Sequence, residues 1–91
     1  MSKNLSKTLG KPEAYVMVGY QNAAMVFGGV DTPCVFAQLN SIGQISVDKN
    51  EKTSAVITGI LVKHLNVSAD RVYITFNDVK PSNWGFNGST F

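Results

Sequence analysis

Cysteine, histidine and tryptophan occur once each in these 91 residues, proline three times, and charged side chains make up only 15%. A single cysteine, Cys34, excludes an intrachain disulfide and fits a reducing compartment. With His64 the only histidine, zinc-ligand spacing cannot be assembled, and neither a metal nor a cofactor is expected. Eight basic and six acidic residues leave a formal net charge of +2. No basic cluster follows a helix or alternates with aromatics, which argues against a nucleic-acid platform. No apolar run approaches the length of a membrane span. The lysines near the start have no apolar stretch behind them, so no signal peptide is expected. The N-x-S triplets at Asn4, Asn66 and Asn87 therefore lack a secretory context. "FGG" (27–29) has neither the downstream pattern nor the lysine of a phosphate-binding loop.

What is present reads as one small domain over 1–91, with an ordinary apolar fraction of 44%. Leu5 and Leu9 lie four apart, with Lys3 and Lys7 between them, and "GKP" (10–12) follows. That pattern is the end of an amphipathic helix stopped by Gly10 and Pro12. "AYVMVGY" (14–20) has the composition of a strand. "MVFGGVDTP" (25–33) contains a Gly-Gly turn. "CVFAQLNSI" (34–42) is apolar enough to predict a strand covered on both faces. "GQISVDKN" (43–50) reads as a loop. A helix follows, with Asp48 and Glu51 at capping-box spacing and Val56, Ile57, Ile60, Leu61 and Leu65 as its apolar stripe. Gly59 inside that stripe suggests close approach of a strand. "RVYITFND" (71–78) predicts a strand with Tyr73 and Thr75 on one face and Val72, Ile74 and Phe76 on the other.

Few residues here carry chemistry by type and spacing alone. A Cys34–His64 nucleophilic pair is formally available, but a strand cysteine in an apolar run ordinarily serves packing. Lys11 at a helix end reads first as a solvated charge favoured by the helix dipole, and second as an anion anchor at a pocket mouth. Tyr73 reads as core or interface. Trp84, Phe86 and Phe91 are costly to expose on a glycine-rich tail, so they line a pocket or bury against another subunit.

"DRVYITFND" (70–78) and "NWGFNGSTF" (83–91) resemble the macrophage migration inhibitory factor family of the tautomerase superfamily. So do "LGKPEAYVMV" (9–18), "MVFGG" (25–29) and "NSIGQI" (40–45), in the same order and at matching spacing. The resemblance implies an α+β fold, a two-layer sandwich in which paired βαβ units set two helices on a four-stranded sheet. It implies a homotrimer with a small aromatic keto acid as partner, and tautomerisation of phenylpyruvate-like acids and of dopachrome-type substrates. The base in that chemistry is the secondary amine of an N-terminal proline. The resemblance further implies that Lys11 receives the substrate carboxylate and that Ile42 forms pocket wall near free backbone N–H groups. Tyr73 comes from the adjacent subunit, while Trp84, Phe86 and Phe91 complete the apolar wall. Thr75 stands where some members carry a substrate-binding asparagine. Cys34 matches the first cysteine of a C-x-x-C whose second position here is Ala37. Set against the family pattern, the chain opens midway through the first helix, so the first strand, half of that helix and the proline base are expected to be missing. The alternative is a non-catalytic, cytokine-like binding protein that engages a cell-surface receptor. Under either reading the protein is expected in the cytoplasm, with release that needs no signal peptide, and binds neither nucleic acid nor membrane.

Overall fold

The computed structural model describes residues 1–91. Helix α1 spans Ser2–Leu9 and buries Leu5 and Leu9. It stops at Gly10, whose φ of 65° is left-handed and whose N–H returns to the Lys7 carbonyl. Glycine adopts that conformation at little steric cost, which is why the helix ends there. Pro12 then leads into a short 3₁₀ turn, Glu13–Tyr15.

Strand β1 (Val35–Ser41), helix α2 (Val47–Leu65) and strand β2 (Val72–Asp78) form a βαβ unit with parallel strands. The register runs from Val35 opposite Val72 to Ser41 opposite Asp78. Both helices lie on one face of this sheet. Leu5 and Leu9 of α1 join Ile57 and Leu61 of α2 and Val67, and Val16, Val35, Leu39, Val72 and Ile74 pack beneath them. The other sheet face carries no helix, and Phe36, Gln38 and Asn40 on β1, and Tyr73, Thr75 and Asn77 on β2, are exposed; only Phe27 stacks on it, at Tyr73. The chain ends in a hairpin of β3 (Gly85–Phe86) and β4 (Ser89–Thr90). Asn87 and Gly88, both at positive φ, turn it. No helix is long and apolar enough to cross a membrane.

Four local expectations need correction. Residues 14–20 do not form a strand. Val16 has extended dihedrals, but nothing in 1–91 pairs with this stretch, and a strand is defined by its partner. Met17 and Tyr20 are consequently 96% and 93% exposed. Strand β1 is covered on one face only; its apolar run conceals a period-two alternation in which Val35, Ala37 and Leu39 point inward. Helix α2 starts at Val47, inside the expected loop. Its N-cap is Ser46, whose hydroxyl accepts from the Lys49 N–H at 3.3 Å, and Asp48 falls in the first turn instead. Finally, Gly59 is exposed with nothing within 4 Å of where a Cβ would stand, so no strand approaches it. Leu65 is exposed as well, and Thr53, unread in the apolar stripe, is only 1% exposed.

Two further stretches match expectation. Gly28 and Gly29, both at positive φ, turn a tight bridge between Phe27 and Val30. Strand β2 buries Val72, Ile74 and Phe76 more than Tyr73 and Thr75.

Candidate functional site

Lys11 is fixed by the helix end that precedes it. Its N–H donates to the Ser6 carbonyl at 3.0 Å, and its own carbonyl accepts from the Ser6 hydroxyl. The half-buried side chain crosses to the far end of β1 and donates from Nζ to the Ile42 carbonyl at 2.8 Å. An ammonium has three N–H groups, so two remain for another acceptor. The Ile42 N–H has no acceptor within the chain. A cation and a free peptide N–H therefore meet at the C-terminal end of β1, and a carboxylate is the ligand that satisfies both.

The peptide group that seats Lys11 is itself pinned. Ser41, buried, donates its hydroxyl to the Gly43 carbonyl at 2.8 Å. The Gly43 N–H donates to Asp78 Oδ1 at 3.0 Å, and the Val79 N–H donates to the Ser41 carbonyl at 2.8 Å. Gly43 and Gln44 both have positive φ, which lets the chain reverse sharply after Ile42.

An aromatic cluster forms where the chain end folds back on the turn after α1. Tyr15, four residues after Lys11, meets Phe86 edge-on at 6.0 Å and Phe91 at 5.9 Å, while Phe86 and Phe91 stack at 5.1 Å. The terminal hairpin makes this possible, because the Phe91 N–H returns to the Trp84 carbonyl. Phe86 and Phe91 remain about half exposed, leaving ring surface for an apolar ligand. Trp84 faces a separate cleft with Asn40, Val79 and Asn83. Tyr15 was hidden within a supposed strand, and no periodicity in the sequence links it to the tail.

Tyr73 is not brought to Lys11 within one chain. It pairs in register with Phe36, six residues before Ile42. At about 3.3 Å per strand residue, the two ends lie roughly 20 Å apart. Tyr73 instead stacks on Phe27 at 4.5 Å and lines an apolar cleft of about 400 Å³ with Met25, Cys34 and Phe36. Thr75 lies on the same bare face. His64 is exposed on the last turn of α2 and does not line that cleft, so Cys34 has no base beside it there. No group of three His, Cys, Asp or Glu side chains could hold a metal ion.

Arg71 also escaped sequence reading. Its guanidinium donates to the carbonyls of Phe27, Val30 and Thr32 at 2.8, 3.0 and 3.0 Å, and lies 4.9 Å from the centre of the Phe27 ring. It ties the Gly-Gly turn to the start of β2 and so fixes the rim of the Tyr73 cleft.

Fold and site together define a small α+β protein with a half-buried lysine seated where its parallel strands end. The family model described as macrophage migration inhibitory factor (MIF) matches residues 1–91. Curated relatives include macrophage migration inhibitory factor of Xenopus tropicalis, 40% identical over 100% of this chain and 80% of that protein. The Mus musculus protein is 38% identical with the same coverage. Among solved structures, macrophage migration inhibitory factor from Toxoplasma gondii superposes with a TM-score of 0.95 at 41% identity, covering 99% of this chain and 80% of that one. The homologue from Prochlorococcus marinus gives a TM-score of 0.96 at 40% identity, with the same coverage. The chain belongs to the macrophage migration inhibitory factor family, and its fold is the tautomerase fold of those structures.

Proposed function

We propose that this protein tautomerises phenylpyruvate-like keto acids and dopachrome-type substrates, as a homotrimer. The observation that carries this reading is the Lys11 Nζ–Ile42 carbonyl contact at 2.8 Å beside the free Ile42 N–H. The substrate carboxylate binds these donors, and the substrate ring rests on Phe86 and Phe91, while Trp84 faces the separate cleft. Tyr73, remote from Lys11 in its own chain, enters from the neighbouring subunit. A base removes the proton from the carbon beside the ketone, the electron pair moves to the carbonyl oxygen, and the proton returns to that oxygen. No cofactor takes part. The base in this reading is the N-terminal proline amine that the family resemblance implies. Lys11 is committed to the carboxylate, and a neutral tyrosine is a poor base near pH 7. The reaction takes place in the cytoplasm.

The test is decay of phenylpyruvate enol absorbance with equal concentrations of the 91-residue chain and of a version extended by the family's N-terminal segment. Loss of a general base typically costs about 10²–10⁴-fold, so the extended form should be faster by at least that much. Equal rates would falsify this assignment of the base.

The broad bare sheet face favours one other reading, a cytokine-like protein whose business is a cell-surface receptor. Two folded, trimeric forms without activity would select it.

A further inference from the structure

We propose that Asp78 is a positioning residue for the carboxylate seat, an inference that rests on the function proposed for Lys11. Asp78 closes β2 directly opposite Ser41, the last residue of β1. Its Oδ1 takes the Gly43 N–H at 3.0 Å. The Ile42 carbonyl, on which Lys11 is seated, belongs to the same peptide unit as that N–H. Carbonyl and N–H of one planar peptide point in opposite directions. Fixing the N–H on Asp78 therefore aims the carbonyl away from Asp78, toward Lys11. Without that acceptor the unit is free to rotate, because Gly43 is followed by another residue at positive φ and nothing stands within 4 Å of a Gly43 Cβ position. The Ser41 hydroxyl holds the far side of Gly43 through its carbonyl and leaves the Ile42–Gly43 peptide itself untouched. Asp78 thus governs where the ammonium sits without touching the ligand.

The test is NMR of the full chain with Asp78→Ala, Asp78→Ser and Asp78→Asn. In the unmodified protein a seated Lys11 should show inequivalent ε-methylene protons. Asp78→Ala should speed exchange of the Gly43 amide and merge those signals. It should also weaken phenylpyruvate binding about tenfold, the scale of one charge-assisted hydrogen bond. Asp78→Ser falls short of Gly43 and reports the same outcome if the alanine variant loses its fold. Asp78→Asn keeps a carbonyl oxygen that accepts from Gly43, so it should restore the Lys11 signals and affinity. Faster Gly43 exchange with Lys11 unchanged overturns the proposal, leaving Asp78 as a simple turn support. Failure of asparagine to rescue also overturns it. If phenylpyruvate does not bind even the unmodified protein, the proposed function fails, while the Lys11 signals still decide the role of Asp78.

Discussion

At the scale of single residues, two cations organise the two ends of the sheet in different ways. Lys11 uses one of its three N–H groups on the Ile42 carbonyl and keeps two for a ligand. Lys11→Ala in an active form should therefore weaken keto-acid binding roughly ten- to hundredfold, since a hydrogen bond to a charged group contributes about 1.5–3 kcal/mol. Steady-state KM and kcat on phenylpyruvate check this; values unchanged from the parent would return Lys11 to a solvated helix-end charge. Arg71, at the start of β2, donates from its two terminal nitrogens to three carbonyls of its own chain. Its role is structural. Arg71→Ala should cost about 1–2 kcal/mol by removing these hydrogen bonds, although the Phe27 and Val30 carbonyls keep each other's N–H. Arg71→Lys should recover only part, because an ammonium cannot reproduce the planar fork. Urea midpoints of the three proteins measure the order.

At the scale of elements, helix α2 separates two readings of its start. If Ser46 is the cap, Ser46→Ala should cost about 1 kcal/mol. Asp48→Ala should cost less, about 0.3–1 kcal/mol, because Asp48 acts on the helix dipole alone. Thermal unfolding of both variants under one condition decides it, and a larger loss at Asp48 would restore the capping box. The same helix offers a gain. Gly59 has helical dihedrals and open space where a Cβ would lie. Gly59→Ala should therefore stabilise by up to about 1 kcal/mol. A loss there would mean that another surface covers this side of α2 in the assembled protein.

At the scale of the whole molecule, the isolated chain is short of interior. Only 7 of its 91 residues are buried. Its accessible surface is 6749 Å² for 9.8 kDa, against about 5,200 Å² for a compact monomer of that mass. The radius of gyration is 14.4 Å, where about 12 Å is usual at this length. Its 41 backbone hydrogen bonds fall below the roughly 60 that a chain of this size ordinarily forms. The excess lies on the bare sheet face and along residues 16–26, which belong to no helix or strand and where Met17, Tyr20 and Val26 are exposed. Surfaces of this kind call for a partner, and the homotrimer proposed above would cover them, with Tyr73 of one subunit set near Lys11 of the next. Light scattering of the folded protein should give three times the chain mass, with a melting temperature that rises with concentration. A well-folded monomer at micromolar concentration would sink the trimer.

The sequence by itself determined whatever depends on neighbours along the chain. Leu5 and Leu9, four apart and followed by Gly10, place a helix and its end, because helical period and left-handed φ are local properties. Tyr73 and Thr75 alternate against Val72, Ile74 and Phe76 for the same reason. Gly28 and Gly29 mark their turn through φ alone. The tertiary structure decided whatever depends on a partner far away in the chain. Lys11 lies 31 residues from the carbonyl that seats it, and Arg71 lies 44 from Phe27. Whether 14–20 becomes a strand depends on a paired edge that its own composition cannot supply. Tyr15 gains meaning only when the terminal hairpin folds back upon it. Hydrogen bonds and ring contacts act over a few ångströms of space, and chain distance fixes that spacing only within a helix turn or along a strand.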